Sequence, residues 1–173
     1  MHPLALFKYC PKCGSPRFVE NNFKSKRCED CGFVYYFNSM SAVAVFITDE
    51  ADRLLVAVRD REPAKGTFDL PGGFVDMFET GEQAAIREVL EETGIKVAKP
   101  QYLFSLPNIY PYSGFDVHTL DMFYQCRVAS NVKLKADDDV AALQFTARAE
   151  IKPENFGLTS VRNAIKIWLS NNY

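Results

Sequence analysis

Glu88, Glu91 and Glu92 stand at i, i+3 and i+4 within LPGGFVDMFETGEQAAIREVLEETGI, residues 70–95. On a helix this spacing gathers three carboxylates on one face. Each like-charged pair costs an isolated helix roughly 0.2–0.5 kcal/mol, so the arrangement is unfavourable unless a positive charge lies among them. A divalent cation would offset that repulsion. Donors that are all oxygen suit Mg2+ or Mn2+, hard ions that keep positions open for substrate phosphates. Ala84, one turn before Glu88, is expected to leave space for such an ion. The competing reading is a solvated face on which Arg87 pairs with Glu91 at i+4.

A second constellation is Cys10-Pro-Lys-Cys13-Gly and Cys28-Glu-Asp-Cys31-Gly, two CxxC pairs at close to zinc-ribbon spacing. Four thiolates close a tetrahedron and leave no open position, so a Zn2+ ion held there is structural. The alternatives are a ribbon without metal or a redox dithiol. Arg17, Lys24, Lys26 and Arg27 lie among Phe18 and Phe23, and Tyr35 and Tyr36 follow. Basic residues interleaved with aromatics can bind single-stranded nucleic acid. A net charge of −2 provides no global basic field, so nucleic acid is the less favoured partner and cover for the metal site the simpler role.

The acidic face needs a helix to display it. Thr80 and Gln83 read as a capping box and Gly94 as a left-handed stop, which predicts a helix over 81–93 with Ile86, Val89 and Leu90 turned away from the glutamates. Pro71-Gly72-Gly73 is a turn whose glycines let backbone come close to the helix entrance. Alternation and turn residues predict strands at 41–48 and 53–59 around a polar turn at 49–52, then a loop over 60–67 containing Arg59's neighbour Arg61. Phe74 and Val75 are expected to form a short strand. A strand at 101–106 is followed by a proline-stiffened loop, 107–114, whose Tyr110 and Tyr112 offer stacking surfaces to a base. A long strand follows at 117–129, with His118 and Asp121 open as polar candidates. Three aspartates then precede another strand ending near 145, and an amphipathic helix at 158–170 closes the core.

The chain of 173 residues, 47% hydrophobic, has room for one domain and a small appendage. The composition changes near Asn38, which divides it into a ribbon, 1–38, and a main domain, 39–173. No apolar run reaches membrane-spanning length, and the apolar start is too short for a secretory signal. With paired cysteines read as metal ligands, the expectation is a cytoplasmic protein with no membrane partner.

Gly73, five residues, Glu79, seven residues, then Arg87-Glu88-Val89, Glu91-Glu92 and Gly94-Ile95 match every fixed position of the Nudix box. The chain resembles the Nudix hydrolase family. That resemblance implies an α/β fold, an α/β/α sandwich with a mixed sheet, here preceded by a small zinc ribbon. It also implies hydrolysis of a nucleoside diphosphate linked to another moiety. By position, Glu88, Glu91 and Glu92 match the metal-binding glutamates, Glu79 the loop glutamate, and Arg87 the arginine that orients them. Ribbon and box together resemble the zinc-ribbon NADH pyrophosphatases. Of that subgroup's Ser-Gln-Pro-Trp-Pro-Phe-Pro-x-Ser stretch, Ser105, Pro107, Pro111 and Ser113 agree and Tyr110 keeps an aromatic, whereas Leu106, Asn108 and Ile109 differ. Asp139 stands where the subgroup has a carboxylate that joins the metal site. Glu91, Glu92 and Asp139 are the implied general-base candidates, and Gly72 and Gly73 lie where substrate comes near. The implied substrate is a small nucleotide such as ADP-ribose or NADH, and a homodimer is the preferred assembly. The rivals are a catalytically silent nucleotide-binding Nudix domain and an RNA cap-directed enzyme.

Overall fold

The computed structural model describes residues 2–136 and 140–170 and divides into two compact units, Met1–Ser39 and Met40–Tyr173. The first is a three-stranded antiparallel sheet of β1 (Phe18–Asn22), β2 (Ser25–Cys28) and β3 (Val34–Tyr36). Phe18 and Phe33 pack beside Cys10, Cys28 and Cys31 as its small core.

The second unit contains β4 (Met40–Thr48), β5 (Arg53–Arg59), β6 (Phe68–Asp69), α1 (Gly81–Thr93), β7 (Gln101–Tyr112), β8 (Phe115–Arg127), β9 (Val140–Ala147) and α2 (Thr159–Ser170). Its sheet runs β6-β5-β4-β8-β7, with β9 also paired to β5. β4 and β8 are parallel and the other pairs antiparallel, so the sheet is mixed.

The apolar run of β4 is explained by its central place. Side chains alternate across a strand, and here both faces are covered. Ala44 and Phe46 join Leu54, Val56 and Phe123 under Val161, Ala164, Ile165 and Trp168 of α2. Val43, Val45 and Ile47 join Leu55 and Tyr124 under Ala84, Ala85 and Val89 of α1. Trp168 stacks on Phe46 with ring centroids 5.4 Å apart. The expected α/β/α sandwich is the observed architecture.

Helix α1 starts and stops where its signals stand. Thr80 accepts from the Gln83 amide, the Gln83 side chain accepts from the Thr80 amide, and Gly94 adopts φ 71°. Its core face differs from the sequence reading. Leu90 is 41% exposed, whereas Glu88 and Glu92 are buried. Ala84 is fully buried against the sheet, so it is core and lines no metal space. Ala84, Ala85 and Val89 form the face of α1 packed on the sheet.

The stiff loop expected at 107–114 is instead strand. β7 continues to Tyr112 and turns through Ser113 and Gly114, both at positive φ, into β8. β7 is the last strand in the sheet order, and an edge strand tolerates Pro107 and Pro111 because a missing N–H costs no ladder bond on its open side. Among the described residues no helix is long and apolar enough to cross a membrane.

Candidate active site and cysteine cluster

The glycine turn is built into the sheet. Pro71 and Gly73 carbonyls accept from the Val45 and Val43 amides at 2.8 Å, and Ser41 accepts from the Val75 amide at 3.0 Å. The stretch expected to hold a short strand at Phe74 and Val75 thus runs along β4, with a bridge between Phe74 and Ala42. A Cβ on Gly72, at φ 156°, would drive into the Val43 carbonyl, and one on Gly73 would lie 2.6 Å from Glu88 Oε1. Both glycines are therefore required by close approach, one to backbone and one to a carboxylate.

Arg87 organises the acidic residues. Its Nε and Nη2 donate to Glu79 Oε1 and Oε2 at 2.9 and 2.8 Å, and its Nη1 donates to Glu88 Oε1 at 2.7 Å and Glu91 Oε2 at 3.1 Å. Nη2 also reaches the Phe74 carbonyl at 3.0 Å. Such a set needs the forked donors of a guanidinium. The bonds to Glu79 raise the Arg87 pKa, and in return Arg87 holds Glu79 below the usual carboxylate range. Glu92 sits apart from this junction, with Oε2 accepting from the Gly72 amide at 3.0 Å. The shared acidic front is thus sorted by environment: Glu88 and Glu92 are buried and Glu91 is half exposed.

The donor set is all oxygen, which fits a hard dication. Glu79, Glu88 and Glu91 are linked through Arg87, and Glu92 is tied to the glycine turn, rather than all converging on a point. Among the described residues, Cys10, Cys13, Cys28 and Cys31 are the group whose candidate ligand atoms all lie within 4.8 Å of one another. Asp139 lies outside the described residues.

A cavity of about 540 Å³ runs from Gly72, Gly73 and Glu92 to Arg59, Arg61, Tyr110 and Tyr112, over a floor that includes Asp69, Asn108, Thr119 and Asp121. Arg59 donates to Asp69, to the Pro63 carbonyl at 2.8 Å and to Tyr110 Oη at 3.3 Å. Burial pushes the Asp69 pKa up despite the adjacent guanidinium. Asp121 accepts from Thr119 and Ser160 hydroxyls, each at 2.5 Å. The Tyr110 ring stands perpendicular to Phe74 at 6.0 Å and near-parallel to Tyr112 at 6.5 Å.

Sequence reasoning missed Phe74, Asp69, Asn108 and Thr119 as cavity residues. The period of two along β8 places Val117, Thr119 and Asp121 on one face, a signal that becomes readable only once the neighbouring strand is known. His118 has the opposite parity and does not line the cavity.

In the first unit the two knuckles have the same geometry. Gly14 and Gly32, at φ 73° and 72°, donate to the carbonyls of Cys10 and Cys28 at 2.8 and 3.0 Å. The Sγ atoms of Cys10 and Cys31 lie 3.7 Å apart, and those of Cys13 and Cys28 3.6 Å. A tetrahedron of Zn–S bonds near 2.3 Å has edges of about 3.8 Å. Two edges of the cluster thus match a zinc tetrahedron, and all four ligand atoms lie within 4.8 Å of one another. Amides of Cys31 and Asp30 lower the Cys28 pKa to about 6. At Cys13 the Ser15 amide acts the same way, but the neighbouring thiols prevail and push it to about 12. All four cysteines are free, so none is committed to a disulfide.

The model of the NUDIX domain matches residues 38–164. The chain belongs to the Nudix family. A curated relative, the NAD-capped RNA hydrolase NudC of Vibrio cholerae, is 32% identical over 112 residues, covering 65% of this chain and 41% of that protein. The match thus spans less than half the length of the relative. Among solved structures, a Nudix hydrolase of Nitrosomonas europaea aligns with a TM-score of 0.73 and 20% identity over 94% of this chain and 90% of that one. A bifunctional NMN adenylyltransferase/ADP-ribose pyrophosphatase of Francisella tularensis, complexed with AMP and a manganese ion, aligns with a TM-score of 0.61 and 22% identity over 78% of this chain and 42% of that one. At these identities the structural likenesses establish the fold. Within the Nudix unit, the box residues that Arg87 gathers are Glu79, Glu88 and Glu91, with Glu92 joined to the glycine turn.

Proposed function

We propose that the Nudix unit hydrolyses the pyrophosphate bond of a nucleoside diphosphate linked to another moiety, a molecule like ADP-ribose or NADH, with Mg2+ or Mn2+ as cofactor. The observation that carries this reading is the Arg87 junction with Glu79, Glu88 and Glu91, beside Glu92 at one end of a cavity walled by arginines and tyrosines.

Glu88, Glu91 and Glu92, backed by Glu79, would hold the dication. When bound, such an ion offsets the charge of the diphosphate and lowers the pKa of its water. Arg87 fixes the spacing of the carboxylates, and Glu91 or Glu92 takes the proton of the attacking water, with Asp139 a third candidate by position. Arg59 and Arg61 lie on the cavity wall to meet phosphate oxygens, and Tyr110, Tyr112 and Phe74 give faces and edges to a base. The products are a nucleoside monophosphate and a phosphorylated remainder. Cys10, Cys13, Cys28 and Cys31 would hold a structural Zn2+ ion. Similar proteins support the same class: the Vibrio protein is an NAD-capped RNA hydrolase, and the Francisella enzyme is seen with AMP and manganese.

The test is AMP release from ADP-ribose and NADH in Mg2+, followed by chromatography. AMP should accumulate, stop on chelation and fall at least about 100-fold in Glu92→Gln, the scale for loss of a group acting in the transition state. Intact substrate after incubation of the wild type with both compounds overturns the reading.

A capped-RNA substrate is the second reading, favoured by the name of the Vibrio relative and by exposed Phe23, Tyr35 and Tyr36 among Lys24 and Arg27 on the ribbon. A higher kcat/KM for NAD-capped RNA than for free NAD, reduced by Phe23→Ala, would support it. Equal values would remove the need for ribbon contacts.

A further inference from the structure

Asn108 is only 9% exposed, lines the cavity, and has no side-chain hydrogen-bond partner among the described residues. Its surroundings are built differently. Thr119, opposite it across the β7–β8 ladder, gives its hydroxyl proton to Asp121, which takes a second from Ser160. Asp69 is held by Arg59 and by the Leu70 amide at 2.9 Å. The buried carboxylates on this floor are thus committed to other donors, while the Asn108 amide still offers two N–H donors and an acceptor. A buried polar group without a partner is unfavourable and rare. Here it faces a cavity. In the stretch that resembles the zinc-ribbon NADH pyrophosphatases, moreover, Asn108 stands where that pattern has tryptophan, so a hydrogen-bonding group replaces a stacking surface.

We propose that Asn108 is a specificity-determining residue that reads the ring end of the substrate, pairing with a planar edge that carries an N–H donor beside an acceptor. The proposal rests on the pyrophosphohydrolase reading for the identity of that substrate. An asparagine carboxamide makes two parallel hydrogen bonds to such an edge, as it does to N6 and N7 of adenine. The carboxamide of nicotinamide presents the same chemistry. Tyr110, two residues along the same strand face, supplies a ring wall with Phe74 behind it.

Calorimetric titration of the full chain separates the two sources. One pair of ligands is AMP and purine riboside 5′-monophosphate, in which the amine becomes a hydrogen. The other is nicotinamide mononucleotide and nicotinate mononucleotide, in which the carboxamide becomes a carboxylate. The wild type is expected to prefer the amine- or amide-bearing member of one pair by about 10–100-fold, the range for a bidentate contact. Asn108→Leu should erase that preference while Tm holds or rises, because an unpartnered amide is removed. For NADH, which carries both rings, its KM should increase with kcat little changed. Equal affinities within both pairs, or a preference that survives Asn108→Leu, would overturn the proposal. Discrimination in binding without any hydrolysis overturns the enzymatic reading alone, hydrolysis without discrimination overturns this one alone, and the absence of both hydrolysis and discrimination overturns both.

Discussion

Arg87 touches three glutamates, so its loss should be felt through all of them. Groups that orient metal ligands typically contribute 10–100-fold to metal affinity or activity. Arg87→Ala is therefore expected to lower kcat/KM by about that factor, with the Mg2+ titration displaced to higher concentration. Arg87→Lys should be nearly as poor, since an ammonium cannot serve five oxygens from one plane. The glycine pair gives a second prediction with two different outcomes. Gly72→Ala meets the Val43 backbone, which cannot yield, and should cost about 1–3 kcal/mol of stability in chemical denaturation, the scale of an overpacked core. Gly73→Ala meets only the Glu88 carboxylate, a side chain that can swing, so Tm should change little while activity falls. The sequence revealed that both glycines matter. It could not tell the two reasons apart, because the distinction depends on which neighbour lies across from each Cβ.

Helix α1 and the β4–β5 turn carry the predictions at the scale of elements. Thr80→Ala removes one half of the capping box and should cost about 0.5–2 kcal/mol in urea denaturation. Activity should fall in step with it if Glu88, Glu91 and Glu92 depend on the first turn. At the turn, Asp49 is fully buried, which opposes its charge, yet it accepts from Arg53 and from the Ala51 and Arg53 amides. These bonds win and hold its pKa below the usual range. A folded pKa lower than the unfolded value of about 3.9 means that the contribution is complete above that pH and is lost as pH falls through the folded pKa. The urea midpoint should thus be flat from neutrality to about pH 5 and decline below pH 4, and Asp49→Asn should flatten that acid decline. The elements themselves were largely legible, α1 to the residue, because caps and periodicity are local signals. β7 was not. Two prolines and a Ser-Gly turn look like a loop until the strand is known to lie at the sheet edge.

For the molecule as a whole, the four-cysteine unit and the Nudix unit make separate claims. Small metal-bound units fold on their metal. The purified protein is expected to contain zinc at about one ion per chain by atomic absorption. Chelation strong enough to remove it should expose the amides of β1, β2 and β3 to rapid hydrogen exchange. Cys31→Ser should do the same without a chelator. Unchanged exchange after complete removal would mean that the three strands stand without the ion.

What the sequence determined alone was everything written in short-range spacing: the two CxxC knuckles, the capped helix, the box from Gly73 to Ile95 and the apolar strand that became β4. Each depends on residues a few positions apart, where backbone geometry converts spacing directly into direction. The tertiary structure decided which glutamates are buried, which of them Arg87 joins, and that Asp69, Asn108 and Asp121 share one floor. Those facts depend on β6, β5, β4, β8 and β7 joining one sheet in an order that no local pattern specifies. The cavity is therefore a property of the sheet order, and its chemistry could be read only after that order was known.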